Sequence, residues 1–167
     1  MKLLWTILAV LLTALNTEGQ TTKVDPAIAK YFVGNWGGQG QFANGKSIQA
    51  DVTFYLSVDS CHLINVYADR PPNRYKSSGD WSIDGSGTLT AFIINNFTGL
   101  KEFKGRWENG KLVISNTDNY PGKVTIYQSF IYDRIDDDNF KITYMYGRDS
   151  RDLKEGDHLI FTRQKTN

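Results

Sequence analysis

The chain has 167 residues, 40% hydrophobic and 13% aromatic, with a formal net charge of +1 at neutral pH. Acidic and basic residues are interspersed, which excludes the clustered Lys/Arg face that nucleic-acid binding needs. The lone cysteine, Cys61, cannot form an internal disulfide and has no accompanying His/Asn pattern, so it reads as a small core or edge residue, and burial and strand pairing must hold the fold.

Lys2 supplies a short positive region, and Leu3 to Leu15 is apolar apart from threonines. Small residues, Thr17 and Gly19, stand at minus three and minus one of a cleavage before Gln20. This pattern predicts a signal peptide over residues 1–19 and a secreted or periplasmic protein. The apolar run is shorter than the roughly 20 residues needed to span a bilayer, so no membrane span is expected in the mature protein. Cys61 lies too far from the cleavage position for a lipoprotein. Residues 20–167 then have single-domain length.

After the polar tail Thr21 to Val24, Asp25 as N-cap and Pro26 at the first helical position open a short helical turn through Phe32, which Gly34 stops. Strand one runs from Asn35 to Phe42 and turns at Asn44-Gly45, a hairpin signal. Strand two, Ser47 to Val58, alternates cleanly, with Ile48, Ala50, Val52, Phe54 and Leu56 on one face. Strand three is His62 to Ala68, strand four Gly79 to Ile83, strand five Thr88 to Asn96 and strand six Lys101 to Glu108. Asn109-Gly110 is a second hairpin turn leading to strand seven, Lys111 to Asn116. Strand eight, Val124 to Arg134, carries Val124, Ile126, Phe130 and Tyr132 on one face, and strand nine, Phe140 to Tyr146, places Phe140, Ile142, Tyr144 and Tyr146 together. Strand ten is His158 to Arg163. Between them, Asp136 to Asn139 reads as a solvated turn rather than a metal site. Ten short strands joined by hairpin turns predict an all-β chain: an antiparallel up-and-down barrel of about ten strands, with the short N-terminal helix closing one end.

Alternate connections of such a barrel lie at opposite ends. Asp59-Ser60, Asp84 to Gly87, Asn109-Gly110 and Asp136 to Asp138 are tight and make one end compact. Asp69 to Lys76, Asn116 to Lys123 and Arg148 to Asp157 are long and rim the other, where ligand mouths usually sit. Trp36 begins the first strand at the compact end. The last strand returns there, and Arg163 shares a face with Leu159 and Phe161, so its guanidinium is expected over the indole.

Gly34-Asn35-Trp36 on the first strand, with an Arg on the final strand, resembles the closed-end arrangement of the calycin superfamily, and the chain is similar to bacterial secreted lipocalin-like domains. Ten strands resemble fatty-acid-binding-protein-like or nitrobindin-like barrels more than an eight-stranded lipocalin. The resemblance implies a small, mainly hydrophobic or amphipathic ligand inside the barrel, with Gly34, Trp36 and Arg163 as structural closed-end residues.

The expected ligand contacts are therefore Arg70, Arg74, Tyr75, Tyr120, Tyr144, Tyr146 and Arg148, drawn from the open end and the inward strand faces. Asp69, Asn73, Asn95, Asn96, Asp149, Arg151 and His158 share that end, and Tyr67 and Tyr132 are further interior phenols. Nitrobindin-like barrels use a late-strand His as a haem ligand, and His158 resembles that position. Parity disfavours it: with Leu159, Phe161 and Arg163 inward, His158 faces outward or sits on the rim. His62 has no second metal-ligating residue at a suitable spacing, so neither metal nor cofactor is expected. No nucleophile elbow, phosphate-binding glycine loop or zinc motif is present. Two alternatives to a binding protein stay open. One is an isomerase- or cyclase-type enzyme using Asp69 or Tyr75 as acid or base and Arg148 as an anion clamp. The other is a protein-interaction module using the mouth loops. Asn96-Phe97-Thr98 is a glycosylation sequon in a eukaryotic source.

Overall fold

A computed structural model describes residues 23–119 and 124–165. The signal-peptide reading of residues 1–19 and the rim position of Tyr120 lie outside the described residues. Asp25 caps helix α1 (Pro26–Phe32), its carboxylate accepting from the N–H groups of Ala27 at 2.7 Å and Ile28 at 3.4 Å, and Pro26 holds the first helical position. Ten strands follow: β1 (Gly34–Phe42), β2 (Ser47–Leu56), β3 (Leu63–Asp69), β4 (Lys76–Ile83), β5 (Thr88–Asn95), β6 (Gly99–Glu108), β7 (Lys111–Asn119), β8 (Thr125–Arg134), β9 (Asn139–Gly147) and β10 (Lys154–Arg163). Each pairs antiparallel with its sequence neighbours. β1 pairs with β10 from Trp36↔Arg163 to Phe42↔Asp157, closing the barrel. Closure removes the exposed edges that an open sheet would present.

Several strands are longer than expected. β4 begins at Lys76 rather than Gly79, β7 runs to Asn119 rather than Asn116, and β10 begins at Lys154 rather than His158. Their extra residues are polar, so hydrophobic alternation fades there. The neighbouring strands still supply a ladder, with Ser77↔Asn95, Asn119↔Thr125 and Lys154↔Tyr146 in register. The open-end loops shrink accordingly, and β10 carries a bulge between Glu155 and Asp157. One ladder is incomplete. β6 and β7 pair only from Lys104↔Ser115 to Glu108↔Lys111, leaving the open-end halves of both strands unpaired with each other.

The apolar face of α1 plugs the compact end. Phe32, fully buried, places its ring 5.1 Å from Phe54, 5.8 Å from Trp81, 5.6 Å from Trp107 and 5.8 Å from Phe140. Burial of such a side chain contributes about 1.5–3 kcal/mol. Trp36 donates from its indole Nε1 to the Phe32 carbonyl at 2.8 Å, and Arg163 stacks on the indole with its guanidinium carbon 4.1 Å from the ring centre. The same guanidinium donates to the carbonyls of Tyr31 at 2.5 Å and Val33 at 2.9 Å, satisfying acceptors that the helix end leaves open. Gly38 gives β1 the clearance for this packing, since a Cβ there would stand 2.5 Å from the Phe161 ring. Among the described residues no helix is long and apolar enough to cross a membrane.

Candidate ligand cavity

Side-chain parity hollows the upper half of the barrel. Inward positions near α1 carry large rings, whereas towards the open end smaller and polar groups alternate, leaving a cavity of about 360 Å³. Its apolar lining includes Val52, Phe54, Ile93, Phe103, Phe130 and Ile142, supplied by β2, β5, β6, β8 and β9. Phe42 and Phe97 stand at its mouth, where β1 ends and β5 turns into β6.

The polar lining is organised in two groups. Asn65, Tyr67 and Asp69 are alternate residues of β3 and face Asp157 at the start of the β10 ladder with β1. The Tyr67 hydroxyl donates to Asp69 Oδ1 at 2.9 Å. Burial, then the Asp69 charge, drive the Tyr67 phenol well above its usual range. Burial also raises Asp69, and burial followed by the Asp69 charge pushes Asp157 up to about 6. Tyr75 is raised by burial as well, and its ring meets Tyr67 edge-on at 5.6 Å and stacks on Phe97 at 6.1 Å. Asn65 fits because Gly79 opposes it across the strands: a Cβ at residue 79 would lie 2.5 Å from Asn65 Nδ2.

The second group spans the incomplete seam between β6 and β7. Lys101 is 9% exposed and forms an ion pair with Asp118, while Gln128 Nε2 donates to Asp118 Oδ2 at 2.9 Å. Lys101 and Gln128 both line the cavity. Asn116 ties the same seam by donating to the Glu102 carbonyl at 2.6 Å.

Of the residues expected at the ligand, Tyr75 and Tyr144 line the cavity. Burial raises the Tyr144 phenol to about 12. Tyr146 stacks on Tyr144 at 5.7 Å but is exposed and lies outside the cavity lining. Arg70 is turned to the outer wall, where Nε and Nη2 donate to Asp51 at 2.8 and 2.6 Å. Asp51 faces outward because Ala50 and Val52 face in. Arg74 and Arg148 are exposed and do not line the cavity, and Arg74 contributes a carbonyl to Asn96 Nδ2. Loop side chains here follow solvent and surface carboxylates rather than the mouth. Both histidines pair with carboxylates, His62 with Asp80 at 2.6 Å and His158 with Glu155 at 2.5 Å, and neither lines the cavity. Among the described residues no group of three or more His, Cys, Asp or Glu is arranged to hold a metal ion.

Asn65, Lys101, Gln128 and Asp157 were not expected among the ligand contacts. Strand parity puts each on an inward face, Asn65 with Leu63 and Tyr67 on β3, Lys101 with Phe103 on β6, Gln128 with Phe130 on β8 and Asp157 with Leu159 on β10, although their polar side chains break the apolar alternation.

No protein-family model matches the chain, and no curated protein sequence does. Among solved structures, the chain is similar to the crystal structure of Rv2717c from M. tuberculosis, with a TM-score of 0.54 and 12% identity, covering 86% of this chain and 100% of that one. At that identity the likeness shows the fold alone, a closed barrel of ten antiparallel strands.

Proposed function

We propose that this barrel binds a small, mainly hydrophobic molecule, and that it does so as an exported, lipocalin-like protein. The observation that carries the reading is the cavity of about 360 Å³, within the size range of small-molecule sites and walled by aromatic and aliphatic side chains with polar groups at defined places. Large side chains filling the barrel would instead favour a protein-interaction role at the mouth loops, and the upper half is not filled. Native mass spectrometry of protein purified from its own source, followed by solvent extraction, is expected to recover a small molecule in about one-to-one ratio. Recovery of none, together with no uptake of an apolar dye, would exclude the reading.

A second reading has its own support. Asp157 at about 6, beside Asp69 and the Tyr67 hydroxyl, is a carboxyl able to exchange a proton near neutral pH inside a cavity. An enzyme of the isomerase or cyclase type would use Asp157 as its acid or base. Incubating the extracted molecule with fresh protein distinguishes the two: an enzyme changes its chromatographic retention at constant mass, whereas a binding protein returns it unaltered.

A further inference from the structure

We propose that the molecule held in the barrel is an amphipathic amine, its ammonium seated between Asp69 and Asp157 and its apolar part in the barrel below. The proposal rests on the small-molecule reading above and names the chemical class of that ligand. Two carboxylates line the cavity, and the neighbouring cations are already engaged. Lys101 is paired with Asp118, Arg70 with Asp51 on the outer wall, and His158 with Glu155. Asp69 receives hydrogen bonds from the Tyr67 hydroxyl and the Tyr75 backbone, whereas no ion pair or side-chain hydrogen bond reaches Asp157 among the described residues. Carboxylates withdrawn from water need a proton or a cation, and a ligand ammonium supplies the cation.

The surrounding groups suit such a head. Tyr67, Tyr75 and Phe97 form a run of ring contacts beside the acids, and aromatic faces together with carboxylates recognise organic cations. Two more side chains point to an occupant with polar features. Asn65, 6% exposed, has no partner for Nδ2, and Tyr132, 7% exposed, receives and gives no side-chain hydrogen bond among the described residues. Both line the cavity. An anionic head, by contrast, would face buried Asp69 and half-buried Asp157 and find the lining Lys101 tied to Asp118.

Calorimetric titration with octylamine, octanol and octanoate at neutral pH tests the head group with the tail held constant. Octylamine is expected to bind at least about tenfold more tightly than either of the others. Asp157→Asn and Asp69→Asn, verified as folded by circular dichroism, are each expected to remove most of that preference while leaving octanol affinity unchanged. Arg148→Ala, outside the cavity, is expected to leave all three affinities as they are. Octanol or octanoate binding as tightly as octylamine would overturn the amine proposal and leave the cavity reading standing. Failure of all three to bind would overturn both.

Discussion

Asp157 concentrates the chemistry of the interior in one carboxyl. Burial and its neighbour Asp69 hold it near 6, above its ordinary 3.8, so the folded chain binds that proton more tightly than the unfolded chain does. The stability linked to this proton is present below 3.8 and is lost as pH rises through about 6. The empty barrel therefore carries an unfavourable charge at neutral pH. Asp157→Asn is expected to stabilise ligand-free protein there by about 1–2 kcal/mol, allowing for the part of the carboxyl that water reaches, and to change little near pH 3. Denaturant melts at the two pH values measure this. Equal stability of both proteins at neutral pH would mean that Asp157 is already neutralised by a partner. Group for group, the residues that decide charge in the cavity sit on strands, whereas the arginines of the rim loops face surface acids such as Asp51 or open water.

At the scale of elements, α1 and the ends of β1 and β10 act as one unit. Trp36→Ala would leave a cavity under α1 and break the bond to the Phe32 carbonyl, with an expected loss of about 3–5 kcal/mol. Arg163→Lys keeps the charge but cannot both lie flat on the indole and reach the carbonyls of Tyr31 and Val33. It is expected to cost about 1–2 kcal/mol, nearly as much as Arg163→Met, in urea unfolding. Full recovery by lysine would reduce the role of Arg163 to charge alone. This unit was legible in the sequence because its cues are local: Asp25-Pro26 starts the helix, and the parity of Leu159 and Phe161 carries Arg163 to the indole side. Clean alternation likewise revealed β2, whose Ile48, Ala50, Val52 and Phe54 are all buried. The polar half of the cavity was harder to read, since Lys101 and Gln128 interrupt the apolar pattern by which inward faces are found. Their meaning depends on Asp118 from β7, the strand between them, a contact set by how the side chains meet across neighbouring strands and not by the apolar pattern along the chain.

For the whole molecule, the ring of ladders has one weak arc. Nine strand pairs follow the chain and the tenth closes β1 on β10, but β6 and β7 part company above Lys104↔Ser115. From Gly99 to Phe103, β6 is paired with β5 alone, so its backbone groups directed towards β7 lack a ladder partner there. Side chains bridge the arc instead, through Lys101 to Asp118 and through Asn116 to the Glu102 carbonyl. Such bonds resist local opening less than a continuous ladder, because each depends on a side chain holding one rotamer. Hydrogen exchange read by mass spectrometry is accordingly expected to show early deuteration over residues 99–103, with slow exchange over residues 104–108 of the same strand. Lys101→Met, which removes the bridge while keeping much of the volume, is expected to speed exchange over residues 99–103 by about tenfold or more and to leave residues 104–108 unchanged, as local opening requires. Uniform protection along β6, unaffected by Lys101→Met, would mean that the barrel opens only as a whole. Because Lys101 and Gln128 also line the cavity, early exchange there would mark this arc as the wall that yields first when a ligand enters or leaves.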